Sequence, residues 1–187
     1  MSDLYYIEDD NFLTKKQKSE VSSLLESSKF PFYLQKECTT YDKLPYLSHI
    51  ILKRPEDRKD NETWNSNYSD IFVNLVKSFT DKHNIKVKEL YRMAINLTCN
   101  VGVKKGDIHL DHHYPHKQLI IYLSDIDDEK IGTVILDDNE KTVLKKVKYK
   151  KFKGVCFDNK PHHMIFPKND MRIVCVCTFI WQNNTYK

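Results

Sequence analysis

From about residue 85 onward the chain is a succession of short runs rich in Val, Ile, Tyr and Thr, and no helical pattern interrupts them. The runs read KELYRMAINLTC, KQLIIYL, GTVILDD, KTVLKKVKY, GVCFD and MRIVCVCTFIW. All four glycines, Gly102, Gly106, Gly132 and Gly154, fall at joints between runs. Strands joined by turns, with no crossover helix between them, pair antiparallel. This pattern predicts a β-sandwich or jelly roll of roughly eight strands.

Two helices are predicted ahead of it. Thr14 and Gln17 have capping-box spacing, and Val21, Leu24 and Leu25 form an apolar stripe. Pro31 ends this helix by disfavouring helical geometry at Phe30. Tyr68, Phe72, Leu75, Val76 and Phe79 recur at helical spacing and mark the second. Between them, YLSHIIL reads as one strand and KRPEDRKDNETWNSN as an exposed loop. With 187 residues and no linker or internal repeat, the chain is expected to form a single domain.

A net charge of +4 does not by itself call for nucleic acid or a membrane surface. The N-terminal residues MSDLYYIEDD lack a basic region and a long apolar run, and no segment reaches the length of a membrane span. Five cysteines without a C-x-x-C pair read as reduced, buried thiols of a cytoplasmic protein. Cys175 and Cys177 share one strand face as packing residues. The most basic stretch, KKVKYKKFK, puts Val147 and Tyr149 on one face of a strand. Lys146, Lys148 and Lys150 lie on the other, as a solvated lysine face does.

Half of the eight histidines lie in GDIHLDHHYPHKQLIIYL, residues 106–123. His112 and His116 have helical zinc-site spacing, but Pro115 breaks that helix and no H-E-x-x-H is present. His109 and Asp111 are two apart and would project from one face of a strand. This pair needs a third ligand from elsewhere. His162 and His163, in FDNKPHHMIFPKNDMR, are candidates. Arg172, at the head of an apolar strand face with Val174, Val176 and Thr178, suggests a buried anion, because arginine is seldom buried unpaired.

The order H-x-D, distant His, then Arg, threaded through short strands after N-terminal helices, resembles the 2-oxoglutarate- and Fe(II)-dependent dioxygenases. It resembles in particular the prolyl-4-hydroxylase-like branch and its small phage-type members, over roughly residues 90–180. The resemblance implies a double-stranded β-helix (a jelly-roll, cupin-like barrel) as catalytic core in residues 85–187, with residues 1–84 as a helical and mixed support region. It implies Fe(II) as metal, 2-oxoglutarate as cosubstrate, O2 as oxidant and ascorbate as reductant. His109, Asp111 and His163 are the implied metal ligands and catalytic residues. The resemblance favours His163 over His162, because the family's pattern of an aromatic residue six before the second His, a Pro four after it and a basic residue nine or ten after it is met by Phe157, Pro167 and Arg172. His112, His113 and His116 are then expected to line the loop at the barrel mouth.

Arg172 is the implied partner of the cosubstrate's C5 carboxylate, its planar fork suited to bidentate contact. Tyr122 would add a hydroxyl, or else be a core aromatic, and Asn96 is a further candidate contact. Val174 and Val176 stand where the family often has Ser or Thr, so a less polar pocket is expected. The implied reaction is oxidative decarboxylation of 2-oxoglutarate to succinate and CO2, coupled to hydroxylation of a C–H bond. The substrate would be a prolyl or other amino-acid residue, or a small amino-acid-like molecule. The implied partner is thus a peptide or small molecule rather than nucleic acid or a membrane. A non-catalytic metal- or ligand-binding jelly roll and a nucleic-acid-directed oxidative demethylase are the alternative classes.

Overall fold

The capping box opens the first helix as its spacing predicts. The Thr14 side chain accepts from the Gln17 backbone N–H, and the Gln17 side chain accepts from the Thr14 N–H at 2.9 Å. A computed structural model describes residues 4–37, 43–59, 63–128 and 130–182. The order is β1 (Tyr6–Asp9), α1 (Lys15–Glu26), β2 (Tyr33–Gln35), β3 (Tyr46–Leu52), a 3-10 turn (Pro55–Asp57) and α2 (Ser69–Lys82). Then come β4 (Val87–Thr98), β5 (Lys117–Tyr122), β6 (Gly132–Leu136), β7 (Val143–Lys148), β8 (Gly154–Asp158), β9 (His162–Ile165) and β10 (Arg172–Trp181).

The strands form two antiparallel sheets, β1-β8-β5-β10-β4-β3-β2 and β7-β6-β9. The fold is thus mainly β with N-terminal helices. The support region is not separate from the barrel, because β3 pairs with β4 and β1 with β8 inside the larger sheet. Strands β1, β2 and β9 are additions to the sequence-based outline. Each is three or four residues long and lacks a Val/Ile run.

Period-two alternation separates two cores. Leu119, Ile121, Cys156, Cys175, Cys177, Phe179, Met93 and Ile95 point outward and pack beneath Val21, Phe72, Leu75, Val76 and Phe79 of the helices. Ile120, Tyr122, Val155, Phe157, Val174 and Val176 point inward and meet Ile135 and Val147 of the small sheet. The cysteines at 156, 175 and 177 are buried free thiols, but Cys99 is exposed, because it lies just beyond the end of β4. Cys38 lies outside the described residues. On β7, Val147 is buried and Lys146 and Lys148 are exposed, as the alternation requires. No helix among the described residues is long and apolar enough to cross a membrane.

Gly132 fixes the approach of β6 to β7. A Cβ there would lie 1.9 Å from the Val147 carbonyl oxygen, a backbone atom that cannot rotate away. Gly132→Ala is therefore expected to cost about 3 kcal/mol, lowering Tm by roughly 6–12 °C in a thermal melt. An unchanged Tm would contradict this packing.

Candidate metal and cosubstrate centre

The HLD segment is not a full strand. Residues 104–109 run along the free edge of β9 and pair with it only at isolated bridges. There His109 and His162 face each other directly. Each backbone N–H donates to the other's carbonyl at 3.0 Å. Opposed residues of such a pair carry their side chains on one face, and the two rings lie 4.6 Å apart. Asp111, two residues on, completes a cluster in which one ligand atom from each of His109, Asp111 and His162 lies within 4.8 Å of the others.

His163 does not join this cluster, which corrects the expectation that it is the distal ligand. In β9 it pairs with Val134, one register step from the Ile135–His162 pair, so its ring leaves the opposite face. Its Nδ1 donates to the Met164 carbonyl at 3.1 Å. The cavity is lined by His162 and Met164 of β9 but not by His163. The spacing to Phe157 and Pro167 misses the register by one because it measures distance along the chain. The facing residue is set instead by the cross-strand bridge.

Both clustered histidines are held in one tautomer. His109 Nδ1 donates to the Asp107 carbonyl and His162 Nδ1 to the Lys160 carbonyl, each at 3.0 Å. The Nε2 atoms are thereby left as lone-pair donors, the form a metal takes. Gln118 donates its amide to His162 Nε2 at 3.1 Å. Burial, helped by the neighbouring His109, pushes the His162 pKa down to about 4, so the ring is neutral at pH 7. Burial would raise the Asp111 pKa. Arg92 foremost, together with His162, His109 and Arg54, outweighs that and holds the carboxyl well below the usual carboxylate range. Arg92 pairs with Asp111 Oδ1 at 2.7 Å, while Oδ2 lies 3.6 Å from His162 Nε2.

The cavity around this cluster has a volume of about 630 Å³. Arg172, 4% exposed, lines it. The guanidinium has no carboxylate partner among the described residues. Its one hydrogen-bond contact is the Met164 sulfur at 3.8 Å, it sits 5.8 Å from the Tyr122 ring centroid, and its Nε is buried without a partner. Tyr122 is fully buried, stacks on Tyr149 at 4.4 Å between centroids and donates its hydroxyl to Thr133 at 2.9 Å. Thr133 lines the cavity, so Tyr122 reaches it through that hydroxyl. Asn96 lines the cavity as well, with its Oδ1 accepting from Ser48 at 2.8 Å. The pocket is more polar than Val174 and Val176 suggest, because Asn96 and Thr98 of the neighbouring β4 and Thr133 of β6 in the other sheet also line it.

The remaining histidines depart from expectation. His113 is exposed and lines the cavity, but His112 and His116 are buried at 3% and 1% exposure. His112 hydrogen-bonds Thr178 at 2.8 Å and stacks on Tyr114. The turn after Asp111 folds them under the major sheet. Nor is the described part of the 53–67 stretch, residues 53–59 and 63–67, merely exposed. Arg58 pins it to the Leu90 and Tyr91 carbonyls at 3.0 and 2.8 Å, and Arg54 enters the cavity and donates to the Asp111 carbonyl. Arg92 had a sequence signal that was missed, since it shares the inward face of β4 with Asn96. Arg54 had none, because its reach depends on the loop's path.

No family model matches the chain, and no curated protein sequence matches it. Solved structures do. An oxidoreductase of the 2OG-Fe(II) oxygenase family from Burkholderia pseudomallei superposes with a TM-score of 0.69 at 14% identity, over 93% of this chain and 84% of that one. A prolyl hydroxylase from Trichoplax adhaerens, in complex with a hypoxia inducible factor oxygen degradation domain peptide fragment, gives 0.63 at 14% identity, over 94% and 83%. The chain folds as a double-stranded β-helix of the 2OG oxygenase type. A Pseudomonas putida prolyl-4-hydroxylase gives 0.58 at 10% identity, over 95% and 93%. Within the double-stranded β-helix, the His109–Asp111–His162 cluster lines the cavity beside the free edge of β9. Arg172 lies in the same cavity at the head of β10.

Proposed function

We propose that this protein is a 2-oxoglutarate- and Fe(II)-dependent dioxygenase. It hydroxylates a C–H bond of a prolyl or other amino-acid residue, or of a small amino-acid-like substrate. One observation carries the reading: a single cavity holds a two-histidine, one-carboxylate cluster together with a buried arginine that has no anionic partner among the described residues. Two imidazoles and a carboxylate are the donor set of non-haem Fe(II) sites with open positions. A buried guanidinium without a carboxylate is costly unless a ligand supplies one.

His109, Asp111 and His162 would hold the iron, and Arg172 the C5 carboxylate of 2-oxoglutarate. When bound, iron and 2-oxoglutarate activate dioxygen for C–H oxidation, with release of succinate and CO2. The chain's own residues orient and shield. The Asp107 and Lys160 carbonyls hold the two imidazoles with Nε2 unprotonated, and the Gln118 amide that donates to His162 Nε2 would give way to the metal. Arg92 occupies Asp111 Oδ1 and leaves Oδ2 toward His162. Tyr122 orients Thr133 in the cavity that Arg172 also lines, Asn96 adds a polar contact, and Ile120, Val174 and Val176 keep the floor dry.

The test is succinate formation from 2-oxoglutarate with Fe(II) and ascorbate, alongside mass spectrometry of candidate peptides and amino acids. Iron-dependent succinate and a substrate gaining one oxygen are expected. Iron-independent or absent succinate from folded protein contradicts the reading.

A further inference from the structure

Asp111 carries more cationic neighbours than one carboxylate needs. Arg92 alone makes its hydrogen-bonded ion pair at 2.7 Å. Arg54 stands further off, its Nη2 3.7 Å from Oδ1, and is anchored instead through Nη1. That atom donates to the Asp111 backbone carbonyl and touches His112 Nδ1 at 3.4 Å. The Nε and Nη2 of Arg54 hydrogen-bond to nothing among the described residues. Glu56 reaches it only at 3.9 Å from a half-exposed position. Both guanidiniums line the cavity. They lie close enough that Arg92, after burial, helps to push the Arg54 pKa down.

The charges lining the cavity follow a gradient. Arg54, Arg92 and Arg172 face one buried carboxylate, Asp111, while Glu37 and Glu140 stand at the exposed rim. A divalent metal, a dianionic cosubstrate and Asp111 do not balance the three guanidiniums, so the cavity keeps an excess of positive charge, and local pairing shows where it lies. Arg172 is matched by the cosubstrate and Arg92 by Asp111. Arg54 is the cation left over, and it lies beside the metal cluster, where a substrate must come. Its free donors suit the planar fork of a carboxylate.

We propose that Arg54 binds the carboxylate of a free amino-acid substrate, so that this cavity takes a free α-amino acid rather than an internal residue of a peptide. This rests on the dioxygenase reading above and narrows its substrate class. An internal residue presents neutral amides to Arg54 and leaves the guanidinium unmatched. A free amino acid brings one carboxylate to it and can direct its ammonium toward the acidic rim.

The experiment measures binding first and turnover second. The protein, loaded with Mn(II) and 2-oxoglutarate, is screened by thermal shift against the twenty free L-amino acids, their C-terminal amides and internal-proline peptides. At least one free acid is expected to raise Tm, with its amide inactive. Arg54→Gln should weaken binding of that acid roughly ten- to a hundredfold in calorimetry. The same acid should stimulate succinate formation in the Fe(II) enzyme. Stabilisation by peptides or amides as strong as by acids overturns the assignment. So does stabilisation by no free acid, or unchanged affinity in a folded Arg54→Gln variant. Failure of the dioxygenase reading looks different: 2-oxoglutarate then fails to bind in a metal-dependent way, whatever the amino acids do.

Discussion

His162→Ala is expected to lose Fe(II) binding and activity, while His163→Ala keeps most of both. The cross-strand bridge decides between these neighbours. His162 faces His109 across two mutual backbone hydrogen bonds, and its Nε2 lies 3.6 Å from Asp111 Oδ2. His163 leaves the opposite face of β9 and bonds the Met164 carbonyl. Removing an outer-shell partner typically costs roughly 10–100-fold in metal affinity, and removing a ligand costs more. Fe(II) affinity measured anaerobically in both variants, with circular dichroism to show that each is folded, reads the difference. Iron retained by His162→Ala and lost by His163→Ala would reverse the assignment.

Arg172→Ala is expected to raise the apparent KM for 2-oxoglutarate by roughly 10²–10³-fold, with Fe(II) affinity nearly unchanged. Removing the cation would strand the C5 carboxylate in a buried site, which costs about 3–5 kcal/mol, and each 1.4 kcal/mol is tenfold. Iron should be little affected, because Arg172 contacts none of His109, Asp111 or His162. Its neighbours are Met164, the Tyr122 ring and the Thr98 side chain below its own carbonyl. Steady-state kinetics at saturating iron separate the outcomes. An unaltered KM in the folded variant would make Arg172 a structural residue only.

The parts of the fold with local signatures were legible in the sequence. The Val/Ile runs of β4 to β8 and β10 announce themselves, as do the Thr14–Gln17 box and the helical spacing from Tyr68 to Phe79. Alternation also marks Gln118, Ile120, Arg172, Val174 and Val176 as inward, and all of them line the cavity. What was not legible depends on long-range register. The short β9 has no apolar run, and which of its two histidines faces the cavity follows from pairing with His109, more than fifty residues earlier. Arg54 enters the site from the loop that follows β3, which Arg58 ties to β4 and which Arg54 itself anchors at the Asp111 carbonyl. The turn that buries His112 and His116 is likewise a tertiary outcome, since polar loop residues are by default solvated.

One cavity is expected to bind metal and 2-oxoglutarate together, the metal at His109, Asp111 and His162 and the far carboxylate at Arg172. Anaerobic calorimetric titration of 2-oxoglutarate, with and without Fe(II), tests it most directly. The expected result is one-to-one binding that requires Fe(II) and is lost both in Asp111→Ala, which cannot hold the metal, and in Arg172→Ala, which can. Binding of 2-oxoglutarate that is equally tight without iron, or undiminished in both variants, would contradict it.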